Sequence, residues 1–389
     1  MVRKSKFKIF RDILLLLITL AVLFFAGKGM IKSVVSDSQP FKSEEAGELD
    51  ADSNTYMLKP MEPEQMFDGL DLYQYIEGQY TVLCLGMDEE GLNTDIMMLA
   101  QFDLNAAKIN ILQIPRDCYV GPDYTKAEHG KINSVYSDGV CEGSTPVAKV
   151  ANCLKDLFGI PIDAYIGIKC TDVPPVVDAI GGIPINVPYD IIYEADKIIY
   201  KGEQVLDGQH SEWFVRFRHD YLEGDIARIR AQRIFLAAGM QKVKNLGTLK
   251  VLSIYPTLKQ YLMSDLDISE IGILCDFAQT VPMENVTVRM VPGEDLSPGD
   301  INNYYGYSIH EQETVDMLNE YFRPYQEEMT AEQLNITEVK HTAAYYDNDS
   351  TNFADIENGD VPSVPFREDA NKLESDTDSE ADADADEEE

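Results

Sequence analysis

Residues 80–117 read YTVLCLGMDEEGLNTDIMMLAQFDLNAAKINILQIPRD. Three apolar runs stand out in this stretch: TVLCLG (81–86), IMMLAQF (96–102) and KINILQI (108–114). Each has the length and composition of a buried strand and is bounded by Asp, Asn or Gly. Asp103–Ala107 forms the turn between the second and third. Taken as an antiparallel meander, the three strands bring three chain points to one edge of a sheet. These are the end of the first strand (Asp88), the start of the second (Asp95) and the end of the third (Arg116, Asp117). Two carboxylates and an arginine at one rim suit a magnesium ion with a phosphate group, because magnesium takes one or two protein carboxylates and completes its shell with water and phosphate oxygens.

Working outward, helical and strand-like patterns alternate. TPVAKVANCLKDLFG (145–159) is helical and ends on Gly159, and IDAYIGIK (162–169) is strand-like. DVPPVVDAIGG (172–182) is a helix that opens on prolines and closes on paired glycines. IPINVP (183–188) and VTVRMVPG (286–293) read as strands, and 226–245, 267–279 and 310–322 as helices. This alternation predicts an α/β fold, an α/β/α-type sandwich with a mixed central sheet.

A second stretch, VRFRHDYLEGDIARIRAQR (215–233), reverses the local charge of a chain with formal net charge -36. Arg216 and Arg218 alternate with Phe217 in the period-2 manner of a strand, which sets both guanidinium groups on one face. Asp225 falls where a helix N-cap belongs. On the helix that follows, Asp225, Arg228 and Gln232 share one face and Arg230 points to the other side. Farther along, Phe235, Leu236 and Val243 continue the first face as an apolar stripe. A cationic first turn leading to such a stripe suits an amphiphile with an anionic head. Arginine suits the head because its planar fork binds phosphate oxygens bidentately. On this stretch alone, surface pairing with some of the 68 acidic residues is slightly the better reading.

The acidic balance argues against a nucleic-acid partner, which needs a basic footprint. Part of it is peripheral, since 366–389 hold twelve acidic and two basic side chains. None of the six cysteines has CxxC spacing, so no zinc-ribbon pattern is present; Cys141 and Cys153 could pair if the domain is exported. His129, His210 and His219 lack ligand spacing. Tyr304, Tyr305 and Tyr307 read as a partly exposed aromatic loop.

The expected organisation has five parts. Residues 1–12 form a basic cytoplasmic segment, and 13–31 (ILLLLITLAVLFFAGKGMI) a transmembrane helix without an evident cleavage site. Residues 32–75 form an extracellular linker and 76–325 the catalytic domain. Residues 326–389 form a disordered acidic tail.

Several stretches, in order, resemble the LytR-CpsA-Psr family: LCLGMDEEGLNTDIMMLAQFDLNAAKINILQIPRDCYV (83–120), KINSVY (131–136), IDAYIGI, VVDAIGGIPINVP and QVLDGQHSEWFVRFRHDYLEGDIARIRAQR. The likeness covers roughly residues 80–325. It implies a membrane-anchored enzyme of a bacterial, Gram-positive type of cell envelope, moving a glycopolymer from a polyprenyl-pyrophosphate carrier to a peptidoglycan sugar hydroxyl. By the same resemblance Asp88 and Asp95 are magnesium ligands. Arg116, Arg216, Arg218 and Arg228 hold pyrophosphate together with Gln232, and Asp225 belongs to the catalytic set. Phe235 and Leu236 would face the prenyl tail. Ala231 stands where the family has a second helix arginine, Cys118 where it has Thr or Ser, and the 88–95 loop is short. The alternatives are a pyrophosphatase acting on the same carrier and a non-catalytic module that binds polyprenyl phosphate.

Overall fold

The computed structural model describes residues 76–140, 145–301 and 303–366. The expected anchor, linker, Cys141 and the last residues of the acidic tail lie outside them. Among the described residues no helix is long and apolar enough to cross a membrane.

The meander forms as its sequence predicts. Strands β1 (Gln79–Met87), β2 (Thr94–Asp103) and β3 (Lys108–Gln113) run antiparallel in sequence order. Strand β4 (Ala164–Lys169) then joins β1 in parallel after the helix Pro146–Phe158. That helix begins on Thr145, whose hydroxyl accepts the Ala148 N–H, and stops at Gly159 in the left-handed conformation.

Strand β5 (Ile183–Val187) leaves the central sheet. It leads through a small hairpin, β6 (Ile191–Glu194) and β7 (Lys197–Ile199), to β8 (Gly202–Leu206), with which it pairs. Strand β9 (Leu262–Ser264) adds antiparallel to β4, and β10 (Val286–Met290) adds parallel to β3. The hairpin of β11 (Gly293–Ile301) and β12 (Tyr304–Ile309) stands apart from the sheet. A last short strand, β13 (Ser350–Asn352), pairs antiparallel with β10. The central sheet is therefore mixed and seven-stranded, in the order β13-β10-β3-β2-β1-β4-β9.

Alternation along the strands sorts the core. Leu83, Leu85 and Met87 pack with Val150, Leu154 and Phe158 on one face, while Val82 packs with Tyr255, Leu266 and Ile271 on the other. The long helix Gly224–Leu246 is buried around much of its circumference. Ile226 and Ile229 join the first of these clusters, Ala231 and Ile234 a cluster with Phe214 and Phe217, and Ala237 a third on the sheet. A helix buried on all sides is fixed in rotation, so whatever its first turn carries is held in place.

Two expectations fail here. Arg216 closes a helix, Gly208–Arg216, and does not lie on a strand. Asp207 caps that helix by accepting the His210 N–H, and the backbone becomes extended only at Phe217. The tail expected from residue 326 is folded as far as Phe366. Apolar residues anchor it: Met329, Leu334 and Tyr346 join the main core, Phe353 packs on the sheet beside Val286 and Val288, and Phe366 packs against Tyr189 and Tyr221.

Candidate active site

The rim foreseen from the meander exists. Asp88 follows β1, Asp95 lies at the start of β2, and Arg116 sits just past β3. The carboxyl ends of β4 and β10, parallel to β1 and β3, reach the same edge. In open α/β sheets, ligands bind outside the carboxyl ends of the strands.

The first turn of the long helix projects onto this rim. Asp225 is not the N-cap, which is Glu223, but lies one residue inside the helix. Its Oδ1 forms ion pairs with Arg228 Nη2 at 2.8 Å and Arg116 Nε at 3.3 Å. Arg116 also binds the Asp95 carboxylate through Nη1. Arg228 Nη2 lies 3.3 Å from the Asp95 carbonyl oxygen. Two carboxylates and two guanidinium groups thus alternate in one cluster, with Arg228 almost wholly buried. Burial pulls the Arg228 pKa down against the pull of Asp225, and Arg116 and Arg218 push it the same way as burial. Arg116 is also opposed by burial, but Asp225 and Asp95 outweigh it and raise its pKa. Both remain cationic at neutral pH.

The remaining sequence candidates divide. Gln232 is buried and donates from Nε2 to the Val215 carbonyl at 3.0 Å, which ties the long helix to the preceding one. Arg216 pairs with Glu212 one turn back at 2.7 Å. Arg218 is exposed and, among the described residues, has no carboxylate partner. Arg230 points away as expected, to Glu223 and Asp349. Phe235 and Leu236 do not share a face. Phe235 lies with Phe214 at a ring separation of 6.0 Å, while Leu236 packs on the sheet side near Ile109 and Val286. Adjacent helical residues are about 100° apart, which is enough to send them to different clusters.

Asp88 turns into its own hairpin. It accepts from the Leu92 N–H at 2.8 Å, the Asn93 N–H at 3.1 Å and the Asn93 side-chain amide at 2.8 Å. Partial burial pushes its pKa up, but these bonds outweigh it and hold the value below the usual carboxylate range. Asp88 is thus a preorganised anion. A magnesium ion is tested best at Asp225, whose Oδ2 is buried and without a hydrogen-bond partner. A carboxylate with neither oxygen hydrogen-bonded, beside a second carboxylate, fits a hard dication. Asp95 and Asp225, both paired with Arg116, would hold it; among the described residues Asp88 does not converge with them to within ligand distance.

The sequence reading gave no role to Asn133, within KINSVY. Its N–H donates to the Arg116 carbonyl at 3.2 Å, its own carbonyl accepts from the Thr94 hydroxyl at 3.4 Å, and its Oδ1 is buried without a partner. Lys131 from the same motif pairs with Asp117 at 2.9 Å. The K-x-N spacing was the available signal.

The fold has solved counterparts. Bacillus subtilis TagV superposes with a TM-score of 0.54 at 22% identity, covering 65% of this chain and 100% of that one. A structure described as TagT bound to LIIa-WTA gives 0.51 at 21%, covering 66% and 96%. Among characterised sequences, a polyisoprenyl-teichoic acid–peptidoglycan teichoic acid transferase, TagU of Oceanobacillus iheyensis, is 26% identical over 246 residues, which is 61% of this chain and 73% of that protein. TagV of Bacillus subtilis, a transferase of the same description, is 26% identical over 239 residues, 58% of this chain and 60% of its own length. Regulatory protein MsrR of Staphylococcus aureus is 29% identical over 261 residues, 63% and 76% respectively. The LytR_cpsA_psr family model matches residues 46–323, a span that takes in every strand of the rim and the helix that closes it. The chain belongs to the LytR_cpsA_psr family.

Proposed function

We propose that the protein is a phosphotransferase of the bacterial envelope, with its folded domain outside the cell on an N-terminal membrane anchor. Its donor is a glycopolymer on a polyprenyl-pyrophosphate carrier and its acceptor a peptidoglycan sugar hydroxyl. The observation that carries this reading is the cluster of Arg116, Arg228, Asp95 and Asp225 at the strand ends, with an exposed Arg218 that has no carboxylate partner among the described residues. The relatives described as teichoic acid transferases support the same reaction class.

In this reading Arg218 and Arg116 contact the pyrophosphate oxygens, and Arg228 holds Asp225 and adds positive potential from below. Arg216 would join them by exchanging Glu212 for a phosphate oxygen. Bound magnesium would supply Lewis-acid stabilisation of charge on the phosphates. The acceptor oxygen forms a bond to the phosphorus that bears the glycan. The bond from that phosphorus to the bridging oxygen breaks, polyprenyl phosphate leaves, and the hydroxyl proton passes to a carboxylate at the rim. The prenyl tail would run past Phe235, on the side of Phe214 and Trp213. Leu236 is withdrawn from that role.

The test incubates the full chain, in detergent, with a polyprenyl-pyrophosphate-linked sugar, magnesium and peptidoglycan fragments, and reads products by mass spectrometry. A sugar-phosphate-glycan adduct is expected. Free sugar phosphate in its place would mean hydrolysis of the carrier. Intact bound lipid in the presence of a competent acceptor would mean a binding module, in keeping with the regulatory description of MsrR.

A further inference from the structure

Away from the rim, His310 immediately precedes the helix Glu311–Met317 that follows β12, Glu313 lies in that helix's first turn, and His341 lies in a strap, 338–343, that crosses the β11/β12 hairpin. The strap is fastened by the Val339 and Lys340 N–H groups on Ser308 Oγ at 3.0 and 2.9 Å. The Glu311 N–H binds Glu338 at 2.8 Å. One potential ligand atom from each of His310, Glu313 and His341 lies within 4.8 Å of the others.

Two features mark this as more than a polar cluster. His310 is fully buried, and its Nε2 has no hydrogen-bond partner. Glu294 Oε1 is 3.5 Å away and already receives the Thr342 and Ala343 N–H groups. Glu313 Oε2 is likewise buried and unpartnered. Two buried polar atoms without partners in one cluster call for a ligand, and a cation serves both.

Each histidine is also oriented as a ligand. His310 Nδ1 lies 2.6 Å from Asp347 Oδ1, and His341 Nδ1 lies 3.2 Å from Glu338 Oε1. A carboxylate on Nδ1 fixes the tautomer that leaves the Nε2 lone pair free, which is the usual support behind a metal-bound histidine. His341 Nε2 faces Glu313 Oε1 at 3.5 Å.

We propose that His310, His341 and Glu313 form a binding site for a divalent transition metal of the zinc class, separate from the carboxylate rim. Two imidazoles and one carboxylate select zinc over magnesium or calcium, which prefer oxygen throughout, and they leave one position for water. The rings now stack at 3.9 Å with an angle of 10° between planes. Coordination needs the metal in the plane of each ring, so His341 tilts out of the stack on binding. Its place on the exposed strap permits that movement. Lys340 Nζ, 3.3 Å from Glu294 Oε2, balances the nearby buried carboxylate and keeps it out of the coordination shell.

The test uses the full chain in detergent, stripped with a chelator and titrated with Zn2+ by calorimetry while the melting temperature is followed. One zinc per chain is expected, not displaced by excess Mg2+, with a higher melting temperature on binding. His341→Ala and Glu313→Gln should each remove the zinc-dependent rise in melting temperature. Asp347→Asn should weaken binding by about 10–100-fold, the usual effect of losing the carboxylate behind a ligand histidine. His341 is exposed, so its variant tests the site without disturbing the core as a change at His310 would. Zinc bound equally by the His341 and Glu313 variants, or no site stronger than millimolar in the parent chain, would overturn the proposal.

Discussion

Arg218 and Arg228 come from one short stretch yet end in opposite situations, and their substitutions should separate accordingly. Arg228 is buried and bonded to Asp225 at 2.8 Å. Removing it leaves Asp225 with Arg116 as its remaining counter-charge and takes away a buried charged contact, which costs about 1–3 kcal/mol. Arg228→Ala should therefore lose transfer and unfold at lower denaturant together. Arg218 is exposed with no carboxylate partner among the described residues. Arg218→Ala should leave the melting temperature unchanged and lower the transfer rate by about 10²–10³-fold, the scale of one lost charge-stabilising donor. Arg218→Lys should restore little, because a point charge does not replace a planar fork. A transfer assay alongside thermal unfolding checks all three; wild-type turnover in Arg218→Ala would remove this arginine from the site. Helical arithmetic placed Asp225 and Arg228 together and sent Arg230 the other way. The period-2 reading misjudged Arg216, because alternation in Val215-Arg216-Phe217-Arg218 imitates a strand over a length too short to decide. The cap at Asp207, nine residues upstream of Arg216, carried the better signal.

At the scale of elements, β1 and β4 are joined by more than their parallel ladder. The Asp163 N–H donates to the Thr81 carbonyl at 2.9 Å, and Asp163 Oδ2 accepts the Thr81 N–H at 2.7 Å, closing a ring just before β4 begins. Burial raises the Asp163 pKa to about 6 despite the bond from Thr81. The folded state therefore holds a proton here that the unfolded chain has released. The corresponding stability is fully present below the ordinary Asp value near 3.9 and is lost as pH rises through about 6. Asparagine can accept the same N–H without a charge. Asp163→Asn should thus stabilise the protein by about 1–3 kcal/mol at pH 7.5 and lose that advantage by pH 4. Urea unfolding at the two pH values measures this, and an equal effect at both would show that charge burial is not what Asp163 contributes. The strands themselves were plain in the sequence because their apolar runs are local. The departure of β5 and β8 into their own two-stranded sheet was not, since IPINVP carries the same apolar pattern whichever sheet receives it.

For the molecule as a whole, the segment after residue 326 decides whether the rest stands. Asp349 receives Arg230 Nε at 2.7 Å and also pairs with Arg233. Arg233 is fully buried and further held by Gln113 Oε1 at 2.7 Å and Thr351 Oγ1 at 3.0 Å. One carboxylate, brought in by β13 at the sheet edge, thereby offsets two arginines of the helix whose first turn builds the rim. Composition hid this: HTAAYYDNDSTNFADIENGD (341–360) is polar, and its pairing partner β10 lies some sixty residues away, so no local period announces it. Asp349→Ala should lower stability by about 3–5 kcal/mol, leaving Arg233 buried beside Gln113 without a counter-charge. Ending the chain after residue 330 should be worse, because it also uncovers the edge of β10 and the apolar surface under Phe353. Ending it after residue 366 keeps all three. Of two otherwise identical chains, the longer should melt in one cooperative transition and the shorter should aggregate or unfold without one. If both melted alike, the buried arginines would have to be balanced from within 76–330, and the role assigned to Asp349 would fall with that result.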